Sequence, residues 1–223
     1  MGFYQQFIRS GDLCFDVGAN MGNRTEAFLK LGARVVAVEP QANCVVVLRE
    51  KYGREPQFTL IPKGLARKEG QATIHAGNAH TLCSMSAEWI EKVQKASFFP
   101  GCYWDREEVV PTTTLDALIG QFGVPDFCKI DVEGFEYEVI QGLSRPIGTI
   151  SLEYTVGVLE PAIQSIRHLA SLGMDQFNYS EAESMSLALS EWVNADTIIA
   201  LLRAPDREVF GDVYSRIRDW VAR

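Results

Sequence analysis

The sequence predicts an α/β domain: a mostly parallel sheet with helices on both faces. Three observations support this. Short apolar runs alternate with amphipathic segments along the chain. Several runs are apolar at nearly every position, as strands covered on both faces require. A glycine-containing turn joins the first run to the first amphipathic segment, as in a βα unit whose turn faces a ligand.

Residues 12–17 form the first apolar run, a strand. Residues 23–31 follow with Ala27, Phe28 and Leu31 at helical spacing. Residues 34–38 are a β-branched strand stopped by Pro40. A helix is expected over 43–52 and a strand over 57–61. Farther on, 126–131 reads as a strand, 135–143 as a helix and 147–154 as a strand. In 159–172, Ile163, Ile166, Leu169 and Ala170 lie on one helical stripe. The apolar run 197–202 reads as a final strand.

Residues 78–106 break the rhythm. They hold Trp89, Phe98, Phe99, Tyr103 and Trp104 around Pro100-Gly101. A helix fits 89–98 and loop fits the rest. The segment is either a substrate lid or a helix packed on the sheet edge. With no repeat or linker in view, residues 1–223 read as a single domain.

The chain has 223 residues, of which 21 are Lys or Arg and 29 Asp or Glu, for a net charge of −8. No basic run exceeds two residues, so neither nucleic acid nor a polybasic membrane anchor is expected. No stretch is apolar enough for a transmembrane helix, and Met1-Gly2-Phe3-Tyr4-Gln5-Gln6 lacks a signal-peptide core. Cys14, Cys44, Cys83, Cys102 and Cys128 are odd in number and form no CxxC pair. They read as reduced thiols of a cytoplasmic protein. His75, His80 and His168 are scattered, which argues against structural zinc. His80 reads as a solvated loop histidine rather than a base, His168 as a surface residue, and His75 as part of a short polar strand. An isologous homodimer is the default assembly.

The first motif is Phe15-Asp16-Val17-Gly18-Ala19-Asn20-Met21-Gly22. Gly18 and Gly22 permit a sharp turn and close approach to a ligand, and the N–H groups of the following helix face the turn. Asn20 stands where a dinucleotide fingerprint wants glycine. Asp16 opposes a pyrophosphate but suits a cationic amine or sulfonium; its other reading is a side-chain cap on the turn. Glu39 ends the second strand about 20 residues after the first glycine, where a carboxylate accepts hydrogen bonds from ribose hydroxyls.

The second motif is Lys129-Ile130-Asp131-Val132-Glu133-Gly134-Phe135-Glu136. A buried strand carries Lys only when it is paired. Alternation puts Lys129 and Asp131 on one face, and Glu153 ends the next strand. Lys129 pairs with Asp131 or Glu153 on this reading. Asp131 and Glu133 have an ordinary structural reading too, as partners of Lys129 and as caps of the helix that follows.

At these residues the chain resembles the FkbM-type methyltransferases, which use S-adenosylmethionine. The two motifs carry the resemblance together with Val36-Ala37-Val38-Glu39-Pro40 and Thr113-Thr114-Leu115-Asp116; the Lys129–Glu136 block is the most specific. The resemblance implies a seven-stranded Rossmann-like class I methyltransferase fold with a reversed last hairpin. It also implies O-methylation of a hydroxylated small molecule, sugar or secondary metabolite. By that likeness Asp16, Gly18, Ala19, Asn20, Gly22 and Thr25 hold the methionine part and backbone side of S-adenosylmethionine. Glu39 and Pro40 lie at its ribose, and Gly64 and Leu65 near its adenine. An N-terminal substrate-binding extension is expected to be short or missing.

The sulfonium methyl is already activated, so the protein must align the acceptor oxygen and remove its proton. Asp131, Glu153, Glu133 and Lys129 are the candidate catalytic residues. One reading is a carboxylate base with a pKa raised by burial. A second is a Mg²⁺ ion on Asp131 and Glu153, which would acidify a bound hydroxyl. Two alternatives remain: an NAD-linked oxidoreductase on a similar sheet, or a non-catalytic module that binds S-adenosylmethionine. Asn20 and the absence of a Tyr-x-x-x-Lys pair disfavour the first; the acids at 131 and 153 disfavour the second.

Overall fold

The computed structural model describes residues 2–78, 82–95, 100–204, 210–218 and 220. The first half runs β1 (Leu13–Val17), α1 (Asn23–Lys30), β2 (Arg34–Val38), α2 (Ala42–Tyr52), β3 (Phe58–Ile61), β4 (Gly64–Leu65), β5 (Gly70–Gly77) and α3 (Ala87–Lys95). The second runs β6 (Trp104–Thr113), α4 (Leu115–Phe122), β7 (Phe127–Ile130), α5 (Glu136–Ile140), β8 (Thr149–Thr155), α6 (Glu160–Ser171), β9 (Gln176–Glu181), α7 (Ala195–Leu202) and β10 (Phe210–Arg216).

Seven strands form one sheet in the order β3-β2-β1-β7-β8-β10-β9. Its first five members are parallel, with Phe15 of β1 beside Val36 of β2 and Cys128 of β7. β10 is antiparallel to both β8 and β9, which is the reversed last hairpin. All five residues of β1 and all four of β7 are buried, as strands covered on both faces are, with Asp16 and Lys129 the charged residue in each. The chain direction changes sides between β1 and β7, so the β1 and β7 tips flank the crevice where open α/β sheets take ligands.

Two apolar layers cover the sheet. On one face α4, α5, α6 and α7 pack Leu118, Val139, Ile166 and Ile198 against the strands. On the other, Phe28 of α1 joins Tyr4, Phe127 and Tyr214. Phe7 stacks on Phe127 with ring centroids 5.5 Å apart and on Tyr214 at 5.3 Å. A second sheet, β4-β6-β5, stands beside the first.

The expected elements over 12–61 and 126–172 are present with shifted ends. The run 197–202 is corrected: it belongs to α7, a helix. Asn194 caps it by accepting from the N–H of Thr197 at 2.9 Å, and Ile198, Ile199 and Leu202 form its buried stripe. A short apolar run looks alike in either state, and the cap decides. The sheet instead gains β9 and β10. β9 is hard to read because Asn178 and Ser180 are buried polar residues. Asn178 is satisfied locally, donating to the carbonyl of Leu189 and accepting from the N–H groups of Tyr179 and Leu189.

The middle of the chain is corrected in part. His75 lies in β5, as the polar-strand reading has it. Residues 104–106, expected as loop, begin β6, and the helix expected over 89–98 is α3, Ala87–Lys95. Its Trp89, Ile90 and Val93 are buried with Val158 in a small separate core. Trp104 donates from Nε1 to the carbonyl of Leu82 at 2.6 Å. Of the five aromatics expected to form a lid, Trp89 is packed inside, Trp104 is partly buried against it, and Tyr103 is exposed. Phe98, Phe99 and His80 lie outside the described residues. His168, read as surface, is part-buried and its Nε2 meets the carbonyl of Leu143 at 2.9 Å.

Phe127 is fully buried and contacts the rings of Tyr4, Phe7 and Phe28. Phe127→Ala should cost about 3–5 kcal/mol and lower Tm by roughly 6–20 °C. Differential scanning calorimetry checks this; an unchanged Tm would show that the aromatic layer does not hold α1 to the sheet.

Candidate active site

The tips of β1, β2, β7 and β8 open into a cleft of about 450 Å³, within the range of small-molecule sites. One wall is the turn after β1. Gly18 has φ 79°, Asn20 φ 48° and Gly22 φ 85°, so the turn passes three times through the left-handed region, which glycine and asparagine tolerate best. Gly18 also lies against β7: a Cβ there would sit 1.8 Å from the carbonyl oxygen of Asp131.

Glu39 is buried at the tip of β2. Its two oxygens accept from the N–H groups of Asn20 and Gln41, each at 2.8 Å. Burial raises its pKa and these N–H bonds pull it back down. The carboxylate is thereby fixed beside the glycine turn at the edge of the cleft, a placement that suits a ribose receptor. Val17, Gly18, Ala19, Asn20, Glu39 and Pro40 line this part, and Lys63, Gly64 and Leu65 continue it.

Asp16, Gly22 and Thr25 do not line the cleft. Asp16 lies under the turn and accepts a short hydrogen bond from the Thr25 hydroxyl. Burial raises its carboxyl to about 6, against the pull of Thr25 and Lys129. Gly22 packs on α2, where a Cβ would meet Tyr52 and Leu48 at 2.6 and 2.8 Å. These three residues shape the turn from below.

The opposite wall is acidic. Asp131, Glu133 and Glu153 each place a carboxylate oxygen within 4.8 Å of the others. Burial, then the charge of Asp131, pushes Glu133 and Glu153 well above the usual carboxylate range. Glu133 reaches this position through φ 51°, followed by Gly134 at 86°. Glu136 supports the turn from beneath by accepting from the N–H groups of Val132 and Gly134. Burial raises it to about 7.

Lys129 lies beneath Asp131 and is not on the cleft wall. Its Nζ is 2.7 Å from Asp212 Oδ1 and 3.3 Å from Asp131 Oδ2. Burial opposes its charge, but the two carboxylates prevail and hold its pKa well above the ordinary lysine value. The sequence reading offered Asp131 or Glu153 as partner; Asp212 of β10, 83 residues away, left no local signal.

The cleft also holds residues that sequence reasoning missed. Arg24 and Glu183 close one end as an ion pair at 2.7 Å. Ile74, Cys83 and Met85 roof the Gly64 end. Ser84 ties this roof to the acidic wall by donating to the carbonyl of Glu133 at 2.6 Å. Nothing in the local sequence marks these side chains.

Curated relatives and solved structures can be set beside this geometry. The chain is 26% identical over 144 residues to the hexuronic acid methyltransferase AglP of Haloferax volcanii, covering 63% of this chain and 53% of that protein. It is 35% identical over 77 residues to the ribosomal RNA small subunit methyltransferase A of Phenylobacterium zucineum, covering 34% and 27%. The chain thus spans about half of the first relative and about a quarter of the second. A solved precorrin-6y C5,15-methyltransferase from Geobacter metallireducens superposes with a TM-score of 0.49 at 10% identity, covering 97% of this chain and 86% of that one. The family model described as the methyltransferase FkbM domain matches residues 16–199, most of the sheet and both walls of the cleft. The chain therefore belongs to the FkbM methyltransferase family and has the Rossmann-like class I methyltransferase fold.

Proposed function

We propose that this chain is an S-adenosylmethionine-dependent O-methyltransferase acting on a hydroxyl of a small polar acceptor, a sugar or secondary metabolite. One observation supports it above the rest. A buried carboxylate beside a glycine turn, suited to a nucleoside, shares its cleft with carboxylates suited to a cation and to a proton. The relative AglP, a hexuronic acid methyltransferase, favours a sugar-like acceptor.

In this reading Glu39 holds the ribose, and Gly18, Ala19 and Asn20 bring their backbone against the cofactor. The bound cofactor supplies an activated methyl group on a sulfonium. Asp131 and Glu153 face that end and attract the positive charge. One of them takes the acceptor proton; burial raises the proton affinity of Glu153, which suits a base for a hydroxyl. Lys129 orients Asp131 from below. Cys83 and Met85, within the stretch read from sequence as a lid, cover the cofactor. The acidic cleft and net charge of −8 repel phosphate chains, which favours a small molecule over nucleic acid. No described helix is long and apolar enough to cross a membrane. We assign the chain to the cytoplasm, which an odd number of cysteines with no CxxC pair favours.

A second reading adds a divalent cation. The three clustered carboxylates offer hard oxygen donors at a spacing that fits Mg²⁺ with several waters retained. Held by Asp131, Glu133 and Glu153, it would acidify and orient a bound hydroxyl. Methyl transfer lost in EDTA and restored by Mg²⁺ is the outcome this reading expects; full turnover in EDTA removes it.

A thermal shift with S-adenosylhomocysteine, run beside NAD⁺, tests the cofactor. At about 100 times Kd a ligand adds about 2.7 kcal/mol, or roughly 5–11 °C in Tm. A shift with S-adenosylhomocysteine alone is expected; a shift with NAD⁺ alone would make the chain an oxidoreductase. With an accepted hydroxyl compound, Asp131→Asn should lower kcat by about 10²- to 10⁴-fold. Wild-type turnover in the folded variant would move the proton to another group.

A further inference from the structure

We propose that Arg24 is the receptor for the carboxylate of the cofactor's methionine part, and that Glu183 occupies its guanidinium until the cofactor arrives. The inference rests on the S-adenosylmethionine reading of the cleft.

With ribose on Glu39 and adenine toward Gly64 and Leu65, the methionine part runs the other way. It crosses Gly18 toward the space between the start of α1 and the tip of β7. That part carries a sulfonium, an ammonium and a carboxylate. Both cations meet carboxylates on the acidic wall. The carboxylate needs a cation, and among the described residues lining the cleft only Arg24 and Lys63 are cationic. Lys63 lies at the adenine end. Lys129 is buried off the cleft wall and engaged by Asp131 and Asp212. Arg24 remains, and it stands in the first turn of α1, where unpaired helix N–H groups also favour an anion.

The surroundings of Arg24 fit a site that is held ready. Its Nη2 lies 2.7 Å from Glu183 Oε2 and its Nη1 3.7 Å from Met185 Sδ. The guanidinium carbon is 6.0 Å from the centroid of the Tyr4 ring. The Arg24 side chain is 26% exposed, that of Glu183 68%. Arg24 is thus seated while Glu183 reaches in from solvent. A guanidinium has five donors, and a fork matched to a carboxylate. Exposed ion pairs are weak, so Glu183 gives up Arg24 at little cost. The cofactor carboxylate would take the same fork, and the segment after β9 that carries Glu183 would be released from α1.

Two ligands isolate the contact: S-adenosylhomocysteine, and 5′-deoxy-5′-methylthioadenosine, which keeps the nucleoside and thioether but lacks the amino-acid part. Each is titrated calorimetrically into the full chain. Arg24→Gln should weaken S-adenosylhomocysteine by about 10- to 100-fold and methylthioadenosine by less than about twofold. Arg24→Lys should restore part of the loss. Glu183→Gln removes the competitor and should tighten S-adenosylhomocysteine up to about fivefold with methylthioadenosine unchanged. An Arg24→Gln variant that binds both ligands as wild type does, or weakens both equally, overturns the assignment. Glu183→Gln, at an exposed position, decides the matter if Arg24→Gln does not fold: unchanged or weaker S-adenosylhomocysteine binding overturns the proposal. Wild-type protein that binds neither ligand overturns the cofactor reading and Arg24 with it.

Discussion

Gly18 lies so close to β7 that a single added methyl group would fall 1.8 Å from the carbonyl oxygen of Asp131. The N–H of Asp131 in turn donates to the carbonyl of Val17 at 3.0 Å. This backbone seam sets the spacing between the cleft's two walls. On one side the turn carries Asn20 to Glu39; on the other the chain swings Glu133 toward Glu153. Any side chain at position 18 would drive the Glu39 side and the acidic side of the cleft apart. The left-handed φ and the close approach make the same demand, and only glycine meets both.

The acidic wall poses an electrostatic problem that the sheet topology resolves. Asp131, Glu133 and Glu153 crowd a partly dry site, where burial and then the charge of Asp131 raise the proton affinity of Glu133 and Glu153. Lys129 supplies the compensating charge from below, but a buried lysine itself needs more than one partner. Asp212 provides it, and reaches Lys129 because β10 runs antiparallel beside β8. Tyr214, two residues on, donates to the other Asp212 oxygen at 3.3 Å. The reversed hairpin therefore does electrostatic as well as structural service to the site.

The parallel half of the fold was legible because its signals are contiguous. Residues 34–38 are followed by Glu39-Pro40, and 15–22 and 129–136 hold their glycines and acids within eight positions. The same compactness exposed Glu39 and Asp131. Residues 197–202 misled because an apolar run of six suits a buried strand or a helix equally, and the deciding Asn194 cap lies outside it. β9 hid behind the buried amide of Asn178. Lys129–Asp212 and Arg24–Glu183 join residues 83 and 159 positions apart; no local pattern encodes such a pair, since the sheet order alone brings its members together.

The place of β10 between β8 and β9 also bears on how the chain is made. Synthesis proceeds from the N-terminus, and domains assemble as their strands become available. All other members of the seven-stranded sheet precede residue 182, yet β9 has no hydrogen-bonded neighbour in that sheet until β10 slips in beside it. A nascent chain that has not released residues 210–216 therefore has an unpaired sheet edge at β8 and a Lys129 without Asp212. The cleft can be outlined at that stage, but its charges cannot balance. Electrostatic completion of the site is thus reserved for the last strand to emerge, which couples the competence of the site to completion of the sheet.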